Sequence, residues 1–253
     1  MNSTFIALAS AACIFSGALV GLFLQRFLPG HHLSKETQDV VKLSAGTVAT
    51  LTAMVLGLLV SSAKNSFDTI NNGIVQSSAK IILLDSDLAR YGPETKAARE
   101  QLKRHVAGVM AMVWPAEKTG VPPLTAFERT TGMELVLDKL SKLTPQSDAQ
   151  RRSLGQAQQI VSELAQTRWF LIEQEQNQLP LPLLVILVFW LSLLFASFGL
   201  FTPTNTTALM VLFLGACALS AAIYLVLELD RPLEGLIKVS DAPLRNALQH
   251  LNQ

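Results

Sequence analysis

Hydrophobic and polar positions along the chain form long apolar segments separated by short polar ones. The clearest segment, Leu43 to Ala63, holds 21 residues without a charge. At ~1.5 Å per residue, a helix of this length spans roughly 30 Å, the thickness of a bilayer's hydrocarbon core. No helix breaker follows before Tyr91-Gly92-Pro93. The pattern therefore predicts a membrane helix that continues into water as a long stalk.

Three other apolar segments have the length of membrane helices, at residues 5–28, 179–201 and 206–227. Pro29-Gly30 ends the first of them, and we expect the polar stretch from Pro29 to Lys42 to be a loop. A short uncharged turn separates the last two segments, which predicts an antiparallel helical hairpin.

The region between the second and third apolar segments, residues 64–178, has helical periodicity interrupted by turns and no strand-like alternation. It carries 14 Lys and Arg and 13 Asp and Glu, which predicts a mixed, nearly neutral surface. We therefore predict an all-α membrane protein with four transmembrane helices, two in residues 1–63 and two in residues 179–227. A helical, water-facing domain (64–178) is inserted between the second and third, and residues 228–253 form a tail.

The second apolar helix has two different faces. Gly46, Ala53 and Gly57 lie on a face of small residues, together with Thr50 and Ser61. Small residues at this spacing let another helix backbone approach closely, so we expect this face to pack against a helix. The other face is bulkier, and its residues are Val48, Leu51, Val55, Leu58 and Ser62.

The stalk that follows carries an apolar seam with spacings of three and four residues. Its members are Phe67, Ile70, Ile74, Ser77, Ile81, Leu84 and Leu88. This spacing fits the core face of an ordinary helical bundle, and it also fits a helix that associates with its own copies around an axis.

Composition supports a membrane protein and argues against several other classes. Half of the residues are hydrophobic and 15% are charged, against about 25% charged in average globular chains. The net charge of +1 and the lack of a polybasic run argue against nucleic acid as a partner. The sequence has no nucleotide-binding loop, catalytic triad or metal-ligand signature, and the His31-His32 pair lacks a nearby third ligand. We therefore expect no enzyme activity, no cofactor and no metal site.

The chain leaves the last apolar segment through Asp230, Arg231 and Pro232. These residues form either a structural exit turn, in which Arg231 pairs with a neighbouring carboxylate or a lipid headgroup, or a docking point against the central domain. Four crossings place both termini and the central domain on one side of the membrane. Six basic residues near the membrane lie on that side and three on the other, which favours a cytoplasmic position for the termini and the domain.

The order of these segments resembles the bestrophins. More specifically, the chain is similar to a bacterial bestrophin-like family of membrane proteins. The residues that carry the resemblance are ETQDVVKLSAGTVATLTAMVLGLLVSSAKNSFDT (36–69), ILLDSDLARYGPE (82–94) and LDRPLEGLIKVSDAPLRNAL (229–248).

Bestrophins are pentameric anion channels, and their second membrane helix lines the pore. The resemblance therefore implies a homopentamer in the bacterial inner membrane that conducts chloride or another small anion. The pore helix would be Leu43–Ala63, and Leu51, Val55 and Leu58 would form a hydrophobic neck that gates by dewetting, with Ser62 on the same face. Unlike bestrophin necks, this helix has no aromatic residue, and its tail carries only Glu228, Asp230 and Glu234 where calcium-regulated bestrophins have a dense acidic cluster.

Lys64 and Asp68 lie where the pore helix would leave the bilayer. They form either a charged vestibule that concentrates ions or an interfacial anchor, in which Lys64 reaches headgroups and pairs with Asp68 at i, i+4. The channel hypothesis also has a rival. A near-neutral helical domain and the missing aromatic neck fit a non-conducting membrane scaffold or sensor that binds a protein partner.

Overall fold

The computed structural model describes residues 3–29, 34–114, 126–176, 180–233 and 235–251. Within these ranges the chain is helical and contains no strand, which confirms the predicted fold class at this level. The helices are α1 (Ser3–Gln25), α2 (Lys35–Tyr91), α3 (Lys96–Val113), α4 (Ala126–Ser141), α5 (Asp148–Gln176), α6 (Leu181–Phe201), α7 (Thr206–Leu229) and α8 (Ala242–His250). Four of them, α1, α2, α6 and α7, are long and apolar enough to cross a membrane.

The second helix, α2, is one unbroken helix of 57 residues, roughly 85 Å long at 1.5 Å per residue. The hydroxyl of Ser34 caps its start by accepting the backbone N–H of Thr37 at 3.4 Å. It ends before Gly92, whose φ of 134° suits glycine alone. The hydroxyl of Thr95 then donates to the carbonyl oxygen of Leu88 at 2.6 Å, which satisfies one of the carbonyls at the helix end.

The prediction of a loop from Pro29 to Lys42 is wrong for the second half of that stretch, because α2 already begins at Lys35. The charged residues that suggested a loop are exposed on the first two turns of this helix. A serine cap with Glu36 in the first turn favours a helix start here, since the carboxylate complements the helix dipole. The His31-His32 pair lies outside the described residues.

The chain forms two compact units, and the first comprises Met1–Phe67 and Gln178–Ile237. We call it the apolar unit. Its helix α1 packs against α6 and α7. Side chains from all four apolar helices form its core, which consists of Ile6, Ile14, Ala18, Leu59, Ala63, Leu187, Leu191, Phe195, Leu212, Ala216, Ile223, Val226 and Leu227.

Glycines allow α1 and α6 to touch through their backbones. A Cβ atom added to Gly21 would collide with the carbonyl oxygen of Ala196, and one added to Gly199 would collide with that of Ala18. Gly17 is equally crowded against α6. Close packing through small residues therefore occurs within this chain between α1 and α6, on helices for which the sequence analysis did not predict it.

The predicted membrane hairpin segments correspond to α6 and α7 to within two residues at each end. Pro180 sits at the N-terminal cap of α6, where its missing N–H leaves no helical hydrogen bond unmade. The side chain of Asn205 starts α7 by accepting the backbone N–H of Ala208 at 2.8 Å.

The second unit comprises Asp68–Asn177 and Lys238–Gln253, and we call it the bundle unit. The seam predicted on the stalk is the core face of this bundle, because five of its residues are buried within the chain: Ile70, Ile74, Ile81, Leu84 and Leu88. The guanidinium of Arg99 on α3 donates to both oxygens of Asp85 on α2, at 2.6 and 2.8 Å. This hydrogen bonding raises the pKa of Arg99 above its ordinary value. The position of the bundle unit in water stays a prediction.

Much of the predicted tail belongs to the bundle unit. The helix α8 packs against α3 and buries Leu244 and Ala247. The indole N–H of Trp114 donates to the carbonyl oxygen of Val239 at 3.0 Å, just before this helix. The sequence analysis predicted no separate helix here.

The carboxylate of Glu228 closes the loop through which the chain leaves α7. Glu228 is only 4% exposed, and its Oε2 accepts the backbone N–H of Leu236 at 2.6 Å. Gly235, the residue before, has a φ of 82°, and a Cβ atom there would collide with the Glu228 carboxylate. The residues of the predicted exit turn lie inside this loop.

The contact between α1 and α6 predicts a large cost for a small substitution. Replacing Gly21 with Ala should destabilise the protein by roughly 1–3 kcal/mol, because the new methyl group forces two packed backbones apart. The thermal unfolding midpoint in mild detergent measures this. The control is Gly155→Ala in α5, where an added Cβ meets nothing within 4 Å. An equal loss of stability in both variants would contradict the close packing.

The loop closed by Glu228 predicts a local change in hydrogen exchange. Glu228→Gln removes the charge from a hydrogen bond worth about 1.5–3 kcal/mol, so exchange of the Leu236 amide should become about tenfold faster. Mass spectrometry or NMR of amide exchange tests this. Glu100→Gln, an exposed substitution on α3, should leave that amide unchanged. Unaltered exchange in Glu228→Gln would show that the carboxylate does not hold the loop.

Candidate functional site

One face of α2 in the apolar unit is exposed along its whole length. Ser44 and Lys64 are also exposed at its edges. We call the remaining residues the α2 stripe, and they are Leu43, Gly46, Thr47, Thr50, Leu51, Ala53, Met54, Gly57, Leu58, Ser61, Ser62 and Asn65. Only 11% of the apolar window of α2 is buried, against 33% for α1 and 28% for each of α6 and α7. Of the four apolar helices, α2 is therefore the one that the rest of the chain covers least.

The α2 stripe carries fewer large apolar side chains than the exposed faces of α6 and α7. The large exposed side chains of α1, α6 and α7 are apolar, as lipid chains require, and include Phe5, Phe23, Leu183, Phe189, Met210 and Leu214. Two thirds of the α2 stripe are instead Gly, Ala, Ser, Thr or Asn, interrupted by Leu43, Leu51, Met54 and Leu58. Such a surface suits another helix or an aqueous path better than lipid.

The hydroxyl groups at the start of the stripe are already occupied. Thr47 donates to the carbonyl oxygen of Leu43 at 3.2 Å, and Thr50 donates to that of Gly46 at 2.9 Å. Their donors are therefore used within α2, and the side chains present methyl groups and oxygen lone pairs. An open depression of about 540 Å³ lies along this part of the stripe.

The predicted neck residues do not all share this face. Leu51 and Leu58 are 48% and 60% exposed on the α2 stripe, and Ser62 is also exposed. Val55 is half-buried and packs against the core of the apolar unit. Met54, which the sequence analysis did not single out, is 65% exposed. It lies three residues after Leu51 and four before Leu58, so these three side chains share a face.

Two of the predicted packing residues have no close neighbour among the described residues. A Cβ atom added to Gly46 or Gly57 would meet nothing within 4 Å, and Ala53 is exposed. These residues do not pack two helices of one chain together, so their contact with another copy stays a prediction.

Lys64 and Asp68 follow the stripe on α2. The ammonium of Lys64 lies 5.7 Å from the centre of the Phe67 ring, within the range of a cation–π contact. Asp68 is half-buried, and both residues make further polar or electrostatic contacts. Their charges are opposite in sign, and their role as a vestibule or an interfacial anchor stays a prediction.

The predicted exit residues are held by the end of α7. The backbone N–H of Asp230 donates to Val226 at 3.1 Å, that of Arg231 donates to Glu228 at 3.3 Å, and Pro232 follows. This geometry agrees with an exit turn. A docking role for these residues stays a prediction, and Glu234 lies outside the described residues.

A second open surface lies in the bundle unit, between α2 and α5. We call it the α5 groove, and it is lined by Leu83, Arg151, Arg152, Gly155, Gln156, Gln159, Ile160 and Glu163. The ammonium of Lys80 lies 3.0 Å from the carboxylate of Glu163. The hydrogen bond from Lys80, followed by one from Gln159, lowers the pKa of Glu163 below its ordinary value of 4.5. Glu163 is therefore ionised and paired at neutral pH.

The described residues contain no cluster of three or more His, Cys, Asp or Glu suited to a metal ion.

Solved structures with a similar fold are bacterial bestrophin homologues from Klebsiella pneumoniae. One of them, a point variant, is 15% identical with a TM-score of 0.68, and the alignment covers 100% of both chains. Another is 14% identical with a TM-score of 0.68 and covers 99% of this chain and 97% of that one. A further point variant is 16% identical with a TM-score of 0.63, over 99% and 98%. These identities establish the fold alone.

Among curated proteins, none matches the sequence. The sequence does match the family model of the bestrophin-like domain over residues 12–244. That range contains the helices α2 to α7, most of α1 and the beginning of α8. The chain is a membrane protein, and it belongs to the bestrophin-like family.

Proposed function

We propose that this protein is an ion channel for chloride or other small anions, formed by a ring of copies, five if it assembles as bestrophins do. The α2 stripe carries this proposal. A face of small and hydroxyl-bearing residues on the least covered apolar helix fits a path for ions at the centre of such a ring. Gly46, Ala53 and Gly57, on one flank of the stripe, would let neighbouring copies of α2 approach closely.

The protein would lie in the bacterial inner membrane, with the bundle unit in the cytoplasm. Basic residues near the membrane support this orientation, since cytoplasmic segments are richer in Lys and Arg. The cytoplasmic side would carry Lys64, Lys80, Arg168, Arg231, Lys238 and Arg245, against Arg26, Lys35 and Lys42 on the other.

Leu51, Met54 and Leu58 are our proposed neck. Their bulky apolar side chains share the exposed face and stand among small residues. In a ring of copies they would narrow the path and exclude water, and a dry constriction stops ions because it offers nothing in place of their hydration shells. Val55 would instead support this arrangement from the core of the apolar unit.

A non-conducting membrane scaffold or sensor is the second candidate. Exposed aromatic residues on α5 favour it, because Trp169 and Phe170 are 54% and 55% exposed in the bundle unit. Large exposed aromatic side chains commonly anchor protein partners.

The neck predicts a gain of function. Replacing Leu51, Met54 and Leu58 with Ala should raise anion flux through purified protein in liposomes by about tenfold or more, since each ~1.4 kcal/mol removed from a barrier gives a factor of ten. An entrapped halide-sensitive dye reports the flux.

Val55→Ala is the matched control for the neck. It removes apolar atoms one residue away, but from the core, so it should cost roughly 1 kcal/mol of stability and leave flux unchanged. Flux that rises with Val55→Ala and not with the triple variant would overturn the proposed neck of Leu51, Met54 and Leu58. Absence of flux from the wild type and the triple variant, in protein that is folded, inserted and monomeric by light scattering, would favour the scaffold.

A further inference from the structure

A buried carboxylate contacts the loop that follows α7. We call this segment the exit loop, and its described residues are 230–233 and 235–237. Glu228, in the last turn of α7, is only 4% exposed, and its Oε2 accepts the backbone N–H of Leu236 at 2.6 Å. Burying an ionisable side chain at the end of a membrane helix is costly, so such a residue is a candidate for a functional role.

Burial of apolar side chains contributes little around Leu236. Its side chain is 82% exposed, and Gly235 is also exposed. The start of the exit loop is fixed differently, because the backbone N–H groups of Asp230 and Arg231 donate to carbonyl oxygens of α7. A hydrogen bond to Glu228, rather than apolar burial, therefore ties Leu236 back to the end of α7.

The backbone of the exit loop is shaped to this carboxylate. Gly235 has a φ of 82°, which favours glycine, and a Cβ atom there would collide with the carboxylate of Glu228. The loop can therefore approach Glu228 this closely only with glycine at position 235.

A proton on this carboxylate weakens the contact. Hydrogen bonds to a charged acceptor are about twice as strong as those between neutral groups. A proton on Oε2 itself would also set an O–H donor against the N–H donor of Leu236. The ionised form of Glu228 therefore holds the loop, and the protonated form loosens it.

Few charged or titratable groups lie near Glu228 among the described residues. Tyr224 is one turn earlier on α7, and its hydroxyl interacts with the Glu228 carboxylate and with Thr4 of α1. Residues 3–10 of α1 contain no ionisable side chain. The other charged residues are Asp230 and Arg231 in the exit loop and Lys64 on α2, next to the core residue Ala63. Because the Leu236 N–H donates to Glu228, titration of Glu228 acts on the loop directly.

We propose that Glu228 is a proton-operated latch, which holds the exit loop when it is ionised and releases the loop as the pH falls. The exit loop is the covalent link from α7 to Lys238, where the last stretch of the bundle unit begins. Release would turn a fixed link into a flexible one in acid. This inference goes beyond the proposed channel and does not depend on conduction.

The first test follows exchange of the Leu236 amide in the full-length protein in mild detergent, relative to an unstructured peptide of the same sequence. Protection in the wild type should fall about tenfold between about pH 7.5 and about pH 4.5, because the charge that strengthens the hydrogen bond is lost. Glu228→Gln should show the low protection at both pH values, since it has no charge to lose. Glu100→Gln, exposed on α3, should keep the wild-type response.

Amides in the middle of α7 are the internal reference, and they should keep their protection throughout. Protection of the Leu236 amide that does not depend on pH in the wild type would overturn the latch, and so would a pH response that persists in Glu228→Gln. A loss of protection shared by the α7 amides would also overturn it, because the change would then be global.

The second test reads the motion of the exit loop from a spin label. Leu236→Cys, with Cys13 and Cys217 replaced by Ala, places the label on a side chain that is 82% exposed, so it displaces no core residue. EPR spectra should show about twofold faster label motion at about pH 4.5 than at about pH 7.5. Adding Glu228→Gln should make the motion fast at both pH values, and a label at the exposed Ala97→Cys on α3 should not respond. Equal motion at both pH values with Glu228 present would contradict the latch.

Discussion

The contact between α1 and α6 sets the organisation of the apolar unit. Inside a bilayer no water competes for apolar surface, so helices associate through shape and close backbone approach. Gly17, Gly21 and Gly199 supply that approach, and the serine hydroxyl of Ser220 on α7 donates to the carbonyl oxygen of Ala7 on α1 at 2.5 Å. While α1 packs against α6 and α7, the first half of α2 contributes Leu59 and Ala63 to the core and leaves its opposite face exposed among the described residues.

The exposed face of the first half of α2 is made mainly of small residues. A Cβ atom added to Gly46 or Gly57 would meet no described side chain within 4 Å, and Thr47 and Thr50 turn their donors back to the helix. The exposed faces of α6 and α7 carry Phe, Leu and Val instead. The apolar unit therefore displays one face of small residues and others that are bulky.

Periodicity and composition sufficed to predict the all-helical class and the four apolar helices. Four apolar segments, the turn at Gly92-Pro93 and the buried seam of the stalk follow from local rules, because a helix that spans lipid or forms a core repeats its apolar residues every three to four positions. The start of α2 was missed because its first turns are charged, although Ser34 could have indicated a cap.

The site was harder to predict, because two helical registers one residue apart satisfy the same spacing. Val55 and Met54 each lie within four residues of both Leu51 and Leu58, and only the core contacts of the folded chain separate them. The sequence also could not show which glycines pack against another helix. Gly21 and Gly57 both lie in apolar helices, and only the folded chain shows that Gly21 contacts the backbone of α6 while Gly57 does not. The α5 groove was not predicted because it forms only where α5 lies beside α2. The hydrogen bond of Glu228 was not predicted because its carboxylate accepts an amide N–H eight residues away.

The continuity of α2 restricts how this protein can change shape. Sharp bends in helices arise at proline, at glycine–serine pairs or at π-bulges, and α2 contains no proline from Lys35 to Tyr91. The helix therefore lacks the commonest cause of a sharp bend. Within the apolar unit, turning α2 about its axis by one residue's angle of about 100° would replace Leu51, Met54 and Leu58 on its exposed face with an adjacent set of side chains.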